Sequence, residues 1–215
     1  MPALICEWDI RGLNCLVVGA GATGLRRART LIEHGAAVTL IAPEAGATDI
    51  PTGCVFHRRQ ASPTDLPNRQ LLVLATNDPG FNQRLAERAR QLGIPTNRAD
   101  DADAGDLRFL ATRSRGPVTL AVSTGGASAS AATVLAEQAV SSIEDHWIGL
   151  LSEAARRREM IQKELPAGPG RQALLRSLVD DAAQAAAQEG LAALAAHHDR
   201  LIERAFEAHR GEGAS

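Results

Sequence analysis

The chain contains no tyrosine and one lysine, Lys163. Without tyrosine it cannot form the Tyr-x-x-x-Lys catalytic pair of short-chain dehydrogenases. A single lysine far from any glycine-rich turn excludes a Walker A phosphate loop and leaves little room for Schiff-base chemistry. Basic charge is not in surplus either. A formal net charge of -2 provides no field for nucleic acid or for an anionic membrane. No apolar run is long enough to span a bilayer, and the start Met1–Trp8 lacks the basic residues of a signal peptide. The three cysteines, Cys6, Cys15 and Cys54, are scattered without metal-ligand spacing, as expected of small buried residues or reduced thiols in a cytoplasm. No metal site is expected. Chemistry must come from Asp, Glu, His, Ser, Thr, Arg or backbone groups.

What is present begins with Leu16-Val17-Val18-Gly19-Ala20-Gly21-Ala22-Thr23-Gly24, an apolar strand running into Gly-x-Gly-x-x-Gly and then a helical run to His34. In such a turn Gly19 allows the sharp bend, Gly21 lets a pyrophosphate approach the backbone, and Gly24 permits close helix–strand packing. The free N–H groups of Ala22, Thr23 and Gly24 would face that anion. A second apolar strand, Ala37–Ala42, follows, and Glu44 stands twenty residues after Gly24. A carboxylate there accepts hydrogen bonds from ribose hydroxyls and repels a 2′-phosphate, which predicts NAD rather than NADP. The competing reading is a glycine-rich strand–helix turn with no ligand.

At 215 residues and 45% hydrophobic content, the chain can bury a core for one or two domains. Residues 13–112 alternate between strand and helix patterns: strands at Leu13–Val18, Ala37–Ile41, Cys54–His57, Leu71–Ala75 and around Pro95–Thr96, helices at Ala22–His34 and Gly80–Gly93. The second helix carries Phe81, Leu85, Ala89 and Leu92 on one face. This pattern predicts an α/β Rossmann-type parallel sheet with ligands beyond the carboxyl ends of its strands. Pro117–Val122 reads as a further strand, Ala129 to about Lys163 as one long helix, and Arg171–His209 as an alanine-rich helical region interrupted near Gly190.

Four segments in collinear order, the Gly-rich turn, Ala75-Thr76-Asn77-Asp78-Pro79-Gly80-Phe81-Asn82, Asn97-Arg98-Ala99-Asp100 and Leu120–Ser128, resemble the precorrin-2 dehydrogenase family, the siroheme-synthase N-terminal module. The resemblance covers roughly residues 1–140. It implies NAD-dependent oxidation of precorrin-2, a tetrapyrrole, to sirohydrochlorin. It also implies three segments: an NAD-binding domain over 1–112, a dimerisation segment over 113–150 that makes a homodimer, and a helical C-terminal domain over 151–215 that closes the cleft. Some members of the family also insert iron. Alternatives are a ferrochelatase, a dehydrogenase of another substrate on the same fold, or a non-enzymatic NAD-binding module.

By the same resemblance Asp100 is the catalytic residue, taking a proton or holding developing charge as the macrocycle is oxidised. On spacing alone, Asp100-Asp101-Ala102-Asp103 reads as a solvated acidic loop. Thr76 and Asn77 would contact the cofactor through their backbone, while Asp78 before Pro79 makes a good helix cap. Asn97, Ser123, Thr124, Gly125 and Ser128 fall to the substrate, with Arg113 as a partner for its carboxylates; a capped turn and a solvated arginine are the plain alternatives. The family's Ser-Pro pair is Ser128-Ala129 here, and arginines of the next helix are replaced over Ala132–Ala136. His197 and His198 read as surface residues, and His146 beside Trp147 as an interface or core position.

Overall fold

The computed structural model describes residues 3–45, 50–101 and 103–212. It divides into two units, residues 1–109 and 110–215, each taken by itself below.

In the first unit the apolar runs become five parallel strands: β1 (Asn14–Val18), β2 (Ala37–Ala42), β3 (Cys54–Arg58), β4 (Leu71–Leu74) and β5 (Thr96–Arg98), ordered β3-β2-β1-β4-β5. The chain reverses direction of travel between β1 and β4, and such a switch point opens a crevice at the carboxyl ends of the strands. Alternation assigns the two faces. Leu16, Val18, Leu72 and Leu74 pack with Leu85 and Ala89 of helix α2 (Pro79–Gln91). Cys15, Val17 and Val73 pack with Leu25, Ala28 and Leu31 of helix α1 (Ala22–Glu33). The central strands are apolar and buried over Cys15–Val18 and Leu71–Leu74 because both faces are covered, whereas edge strand β3 alternates. Each fully buried Leu or Val contributes about 1.5–3 kcal/mol. The unit ends in a strap, 107–109, held by Asn97 Nδ2 donating to Leu107 O at 3.0 Å and by Arg27 stacked over the Phe109 ring at 4.3 Å.

The second unit begins with a strand the sequence pattern did not announce. Ala111–Arg115 (β6) pairs antiparallel with Val118–Val122 (β7) across a Gly116-Pro117 turn, Gly116 at φ +56. Its Thr-Arg-Ser-Arg alternation exposes every second side chain, so no apolar run marks it. Helices α3 (Ala129–Ser141), α4 (Asp145–Glu164), α5 (Pro169–Ser177), α6 (Asp181–Glu189) and α7 (Leu191–Glu212) follow. The single helix expected over 129–163 is thus two, broken at Ser142–Glu144, a stretch without the glycine or proline that would flag it. Position 150 lies within α4. Ile161, Leu165, Leu174, Leu178 and Ile202 form one core, and Leu150, Ala183, Ala187 and Leu194 another with Trp147 against it. Among the described residues no helix is long and apolar enough to cross a membrane.

Two expectations of burial are corrected. Leu92 lies beyond the end of α2 and is 42% exposed; the buried stripe of that helix is Asn82, Leu85, Ala86 and Ala89. His198 is fully buried, its Nε2 donating to the Leu178 carbonyl at 2.9 Å, and His197 is half-buried. The α7 stripe Leu194–His198–Ile202 recurs at four-residue spacing, which carries His198 into the core. Burial pushes the His198 pKa down, despite its bond to Leu178. A group whose folded pKa is depressed contributes stability present above its unfolded value and lost as pH falls through that value. The helical unit is therefore expected to lose stability as pH drops below about 6.5. Trp147 fluorescence in a Trp8→Phe background reads that unit's thermal transition between pH 7.5 and 5.5. His198→Gln should flatten the pH slope; an unchanged slope would contradict the buried neutral histidine.

Candidate functional site

A cleft of about 300 Å³ opens where the crevice is expected, lined by Gly19, Gly21, Glu44, Thr76 and Asn77 together with Pro43, Gln60, Ala61 and Phe81. The three glycines of the turn are required for different reasons. Gly19 has φ +103, and a Cβ there would lie 2.4 Å from the Ala75 carbonyl oxygen. On Gly24 a Cβ would lie 1.9 Å from the Gly19 oxygen. Folding alone explains both. Gly21 differs: its φ of -71 suits any residue, and a Cβ on it would meet nothing within 4 Å. The fold leaves that space open, as a group approaching the backbone would need.

Helix α1 starts at Gly21 with no side-chain cap and no acidic residue in its first turn. The first helical bond is Leu25 N to Gly21 O, so the N–H groups of Ala22, Thr23 and Gly24 precede the ladder and point out of the helix end. Unpaired amides at a positive dipole end make an anion site. Glu44, exposed just beyond β2, lines the same cleft. Of the residues expected at the cofactor, Gly19, Gly21, Glu44, Thr76 and Asn77 line one crevice, and Ala22, Thr23 and Gly24 form the first turn of the helix that leaves it. Sequence reasoning missed Gln60 and Ala61, although both follow the carboxyl end of β3, where this topology places ligand contacts.

Asp100 is not a free member of a solvated acidic loop. Arg98, its side chain 4% exposed, donates from Nη2 and Nε to the Asp100 carboxylate at 2.6 and 3.2 Å, and from Nη1 to Gln83 Oε1. The Asp100 side chain is 17% exposed. The Arg98 hydrogen bonds hold its carboxyl below the usual carboxylate range, with a further lowering from the amide of Asn82. Asn82 is completely buried and bonds the cleft wall: Thr76 Oγ1 donates to its Oδ1 at 2.6 Å, and its Nδ2 donates to the Thr76 carbonyl at 3.2 Å. The plain reading of Asp78 also holds, its carboxylate capping α2 by accepting from Phe81 N at 2.8 Å. Asn82, Gln83 and Arg98 carried no assignment. A signal existed for Asn82, the only polar member of the stripe 82, 85, 86, 89.

Asn97 is 4% exposed and, with its Nδ2 on Leu107 O, keeps a buried Oδ1 without a hydrogen-bond partner. The other residues expected at the substrate belong to the second unit. Thr124 Oγ1 accepts from Ser128 N at 3.1 Å and donates to Ser128 O at 3.0 Å; Ser128 Oγ accepts from Ala131 N at 3.1 Å as the cap of α3; Ser123 Oγ accepts from Gly125 N at 3.3 Å. Arg113 pairs with Glu137. These groups already serve a capped turn and a surface ion pair. Among the described residues no group of three His, Cys, Asp or Glu side chains is placed to hold a metal.

Residues 6–111 match the family described as "Putative NAD(P)-binding". The chain is 37% identical to the siroheme synthase of Methylococcus capsulatus over 161 residues, 73% of this chain and 34% of that protein. It is 33% identical to the siroheme synthase of Azotobacter vinelandii over 174 residues, 74% of this chain and 35% of that one. The chain belongs to the siroheme-synthase N-terminal module family. It spans about a third of the length of these relatives. The solved structure of SirC, precorrin-2 dehydrogenase, shares the fold: TM-score 0.71 at 23% identity, covering 95% of this chain and all of that one.

The two classes of glycine make separable predictions. Gly24→Ala should cost about 3 kcal/mol of stability or more in urea unfolding, since its Cβ meets immovable backbone. Gly21→Ala should change stability by less than about 1 kcal/mol yet weaken NAD binding about tenfold or more by calorimetry. Undiminished NAD affinity in Gly21→Ala would contradict the site.

Proposed function

We propose that the chain is an NAD-dependent dehydrogenase that oxidises precorrin-2 to sirohydrochlorin. The observation that carries the reading is the open space at Gly21 beside the uncapped α1 terminus, in a cleft walled by Glu44, Thr76 and Asn77 at the carboxyl ends of the strands. The residues fit the cofactor. Ala22, Thr23 and Gly24 would take the pyrophosphate on their amides, Glu44 the ribose hydroxyls, and the backbone at Thr76 and Asn77 the rest of the cleft wall. When bound, NAD supplies the acceptor for the hydride.

Losing a hydride leaves positive charge on the macrocycle, and a second hydrogen must leave as a proton. Asp100, held ionised by Arg98, suits the first task better than the second, because a carboxylate with a lowered pKa is a weak base but a fixed negative charge. Its role is to hold the developing cation, with the proton passing to solvent. Asn97 Oδ1, buried and unpaired, fits a donor N–H of the substrate. The turn Ser123–Ser128 and Arg113 enter as carboxylate-binding elements of the second unit. Pairing into a homodimer through 113–150 is supported by Val134 and Leu135, 55% and 48% exposed on α3. Three unpaired thiols suit a cytoplasmic location.

Anaerobic incubation with precorrin-2 and NAD, followed by absorbance, should give sirohydrochlorin and NADH in equal amounts. NAD binding without product would overturn the substrate assignment. Asp100→Asn, which keeps a hydrogen-bond acceptor for the buried Arg98 where alanine would strand it, should lower kcat about 100-fold or more with NAD affinity within about threefold. Turnover of the wild type should stay level as pH falls to about 5, since Asp100 protonates below the ordinary range of about 4. An acid limb near neutrality would assign Asp100 to proton transfer instead.

A further inference from the structure

We propose that Gln60 reads the base edge of the bound dinucleotide, its carboxamide pairing with the amino group of adenine and with the ring nitrogen beside it. This deepens the proposed function and rests on its nucleotide site.

Strand register places Gln60 next to the residue assigned to the ribose. Strands β2 and β3 run parallel with Ala42 opposite Arg58. Glu44 and Gln60 each stand two residues beyond that pair, on chains leaving strands about 4.8 Å apart, and both border the cleft. A base is bonded directly to its ribose, so a ribose held at Glu44 brings its base to this end. The residues lining the cleft there include Ile41, Ala42, Pro43 and Ala61, all apolar and suited to the faces of a flat ring. The polar edge of that ring still needs a partner, and leaving it unmatched would cost affinity.

Gln60 offers that partner. It is exposed, and among the described residues its side-chain amide has no hydrogen bond. Its Oε1 accepts and its Nε2 donates, which matches the amino N–H and the adjacent ring nitrogen of adenine. The backbone beneath it is fixed. Arg59 Nη1 donates to the Gln60 carbonyl at 3.1 Å and to Asp65 Oδ2 at 2.8 Å, and Asp65 accepts in turn from Ser62 N at 2.8 Å. The Arg59 hydrogen bonds hold the Asp65 carboxyl down to about 2, so this clamp stays charged near neutrality. Ala61, 5% exposed, anchors the next position in the core with Leu66 and Leu72. Arg58 donates from Nη2 to the Ala45 carbonyl at 3.1 Å and ties down the segment that carries Glu44. Two successive arginines thus fasten both arms of the site, which lowers the ordering cost of binding.

Calorimetry on the full chain with NAD and with etheno-NAD isolates the contact. In the analogue a two-carbon bridge ties the adenine amino group to the neighbouring ring nitrogen and leaves it no N–H. The wild type should bind NAD about tenfold or more tighter than the analogue. Gln60→Ala should lose about tenfold in NAD affinity while its affinity for the analogue stays within about threefold of the wild type. Its melting temperature should not move, since the side chain is exposed and unbonded. Gln60→Glu, which keeps the acceptor for the amino group and loses the donor, should show an intermediate preference.

Equal affinity of the wild type for the two dinucleotides would overturn the proposal, as would a folded Gln60→Ala with undiminished NAD affinity. Equal losses on both ligands would overturn it too, marking a residue that shapes the cleft without reading the base. Binding of neither dinucleotide by the wild type would remove the nucleotide site itself and the proposed function with it, whereas every other outcome bears on the base contact alone.

Discussion

The carbonyl of Ala75 occupies the place a Cβ on residue 19 would take, 2.4 Å away, and the rest of the first unit follows from that closeness. Strands β1 and β4 are neighbours whose chains leave in different directions, β1 into α1 and β4 into the Thr76 turn. For the two exits to pass, residue 19 must lack a side chain and adopt a positive φ. For α1 to return against the same turn, residue 24 must lack one too. Both demands are steric, and they determine where the end of α1 points. Its uncapped amides then face the crevice, and Gly21 is left with free space in front of it.

The electrostatics at the carboxyl end of β5 is more costly. A guanidinium as buried as Arg98 is tolerated only with its carboxylate and amide partners in place, and breaking such a pair costs about 3–5 kcal/mol. The fold keeps the arrangement although apolar residues would serve stability as well. The Asp100 carboxylate is more exposed than the guanidinium that holds it, which suggests that the pair exists to present that carboxylate.

Most of the nucleotide-binding unit could be read directly from the residues. Leu16–Val18 and Leu71–Leu74 are unbroken apolar runs, and Val38–Ile41 is broken only by Thr39, because both sheet faces are covered, and the glycine spacing reports the steric demands just described. Strand β6 escaped because one exposed face gives Thr-Arg-Ser-Arg no hydrophobic signature, and the α3–α4 break escaped because Ser142, Ile143 and Glu144 contain no chain-breaking residue. The error at His198 came from judging polarity before periodicity: its place four residues after Leu194 and four before Ile202 outweighs its titratable ring. Asp100 alone looked like part of an acidic loop. Its pairing with Arg98 is between residues two apart, but the bond from Arg98 to Gln83 arises only when α2 packs beside β5, and no local pattern encodes that.

The claim beneath the account is that the α1 terminus at Gly21 holds a dinucleotide pyrophosphate. Amide NMR of the uniformly 15N-labelled chain, titrated with NAD, tests it without reference to any substrate. The Ala22, Thr23 and Gly24 amide signals should move most, and saturably, with smaller changes at Glu44, Thr76 and Asn77. Saturable binding that leaves those three amides unmoved would contradict the account.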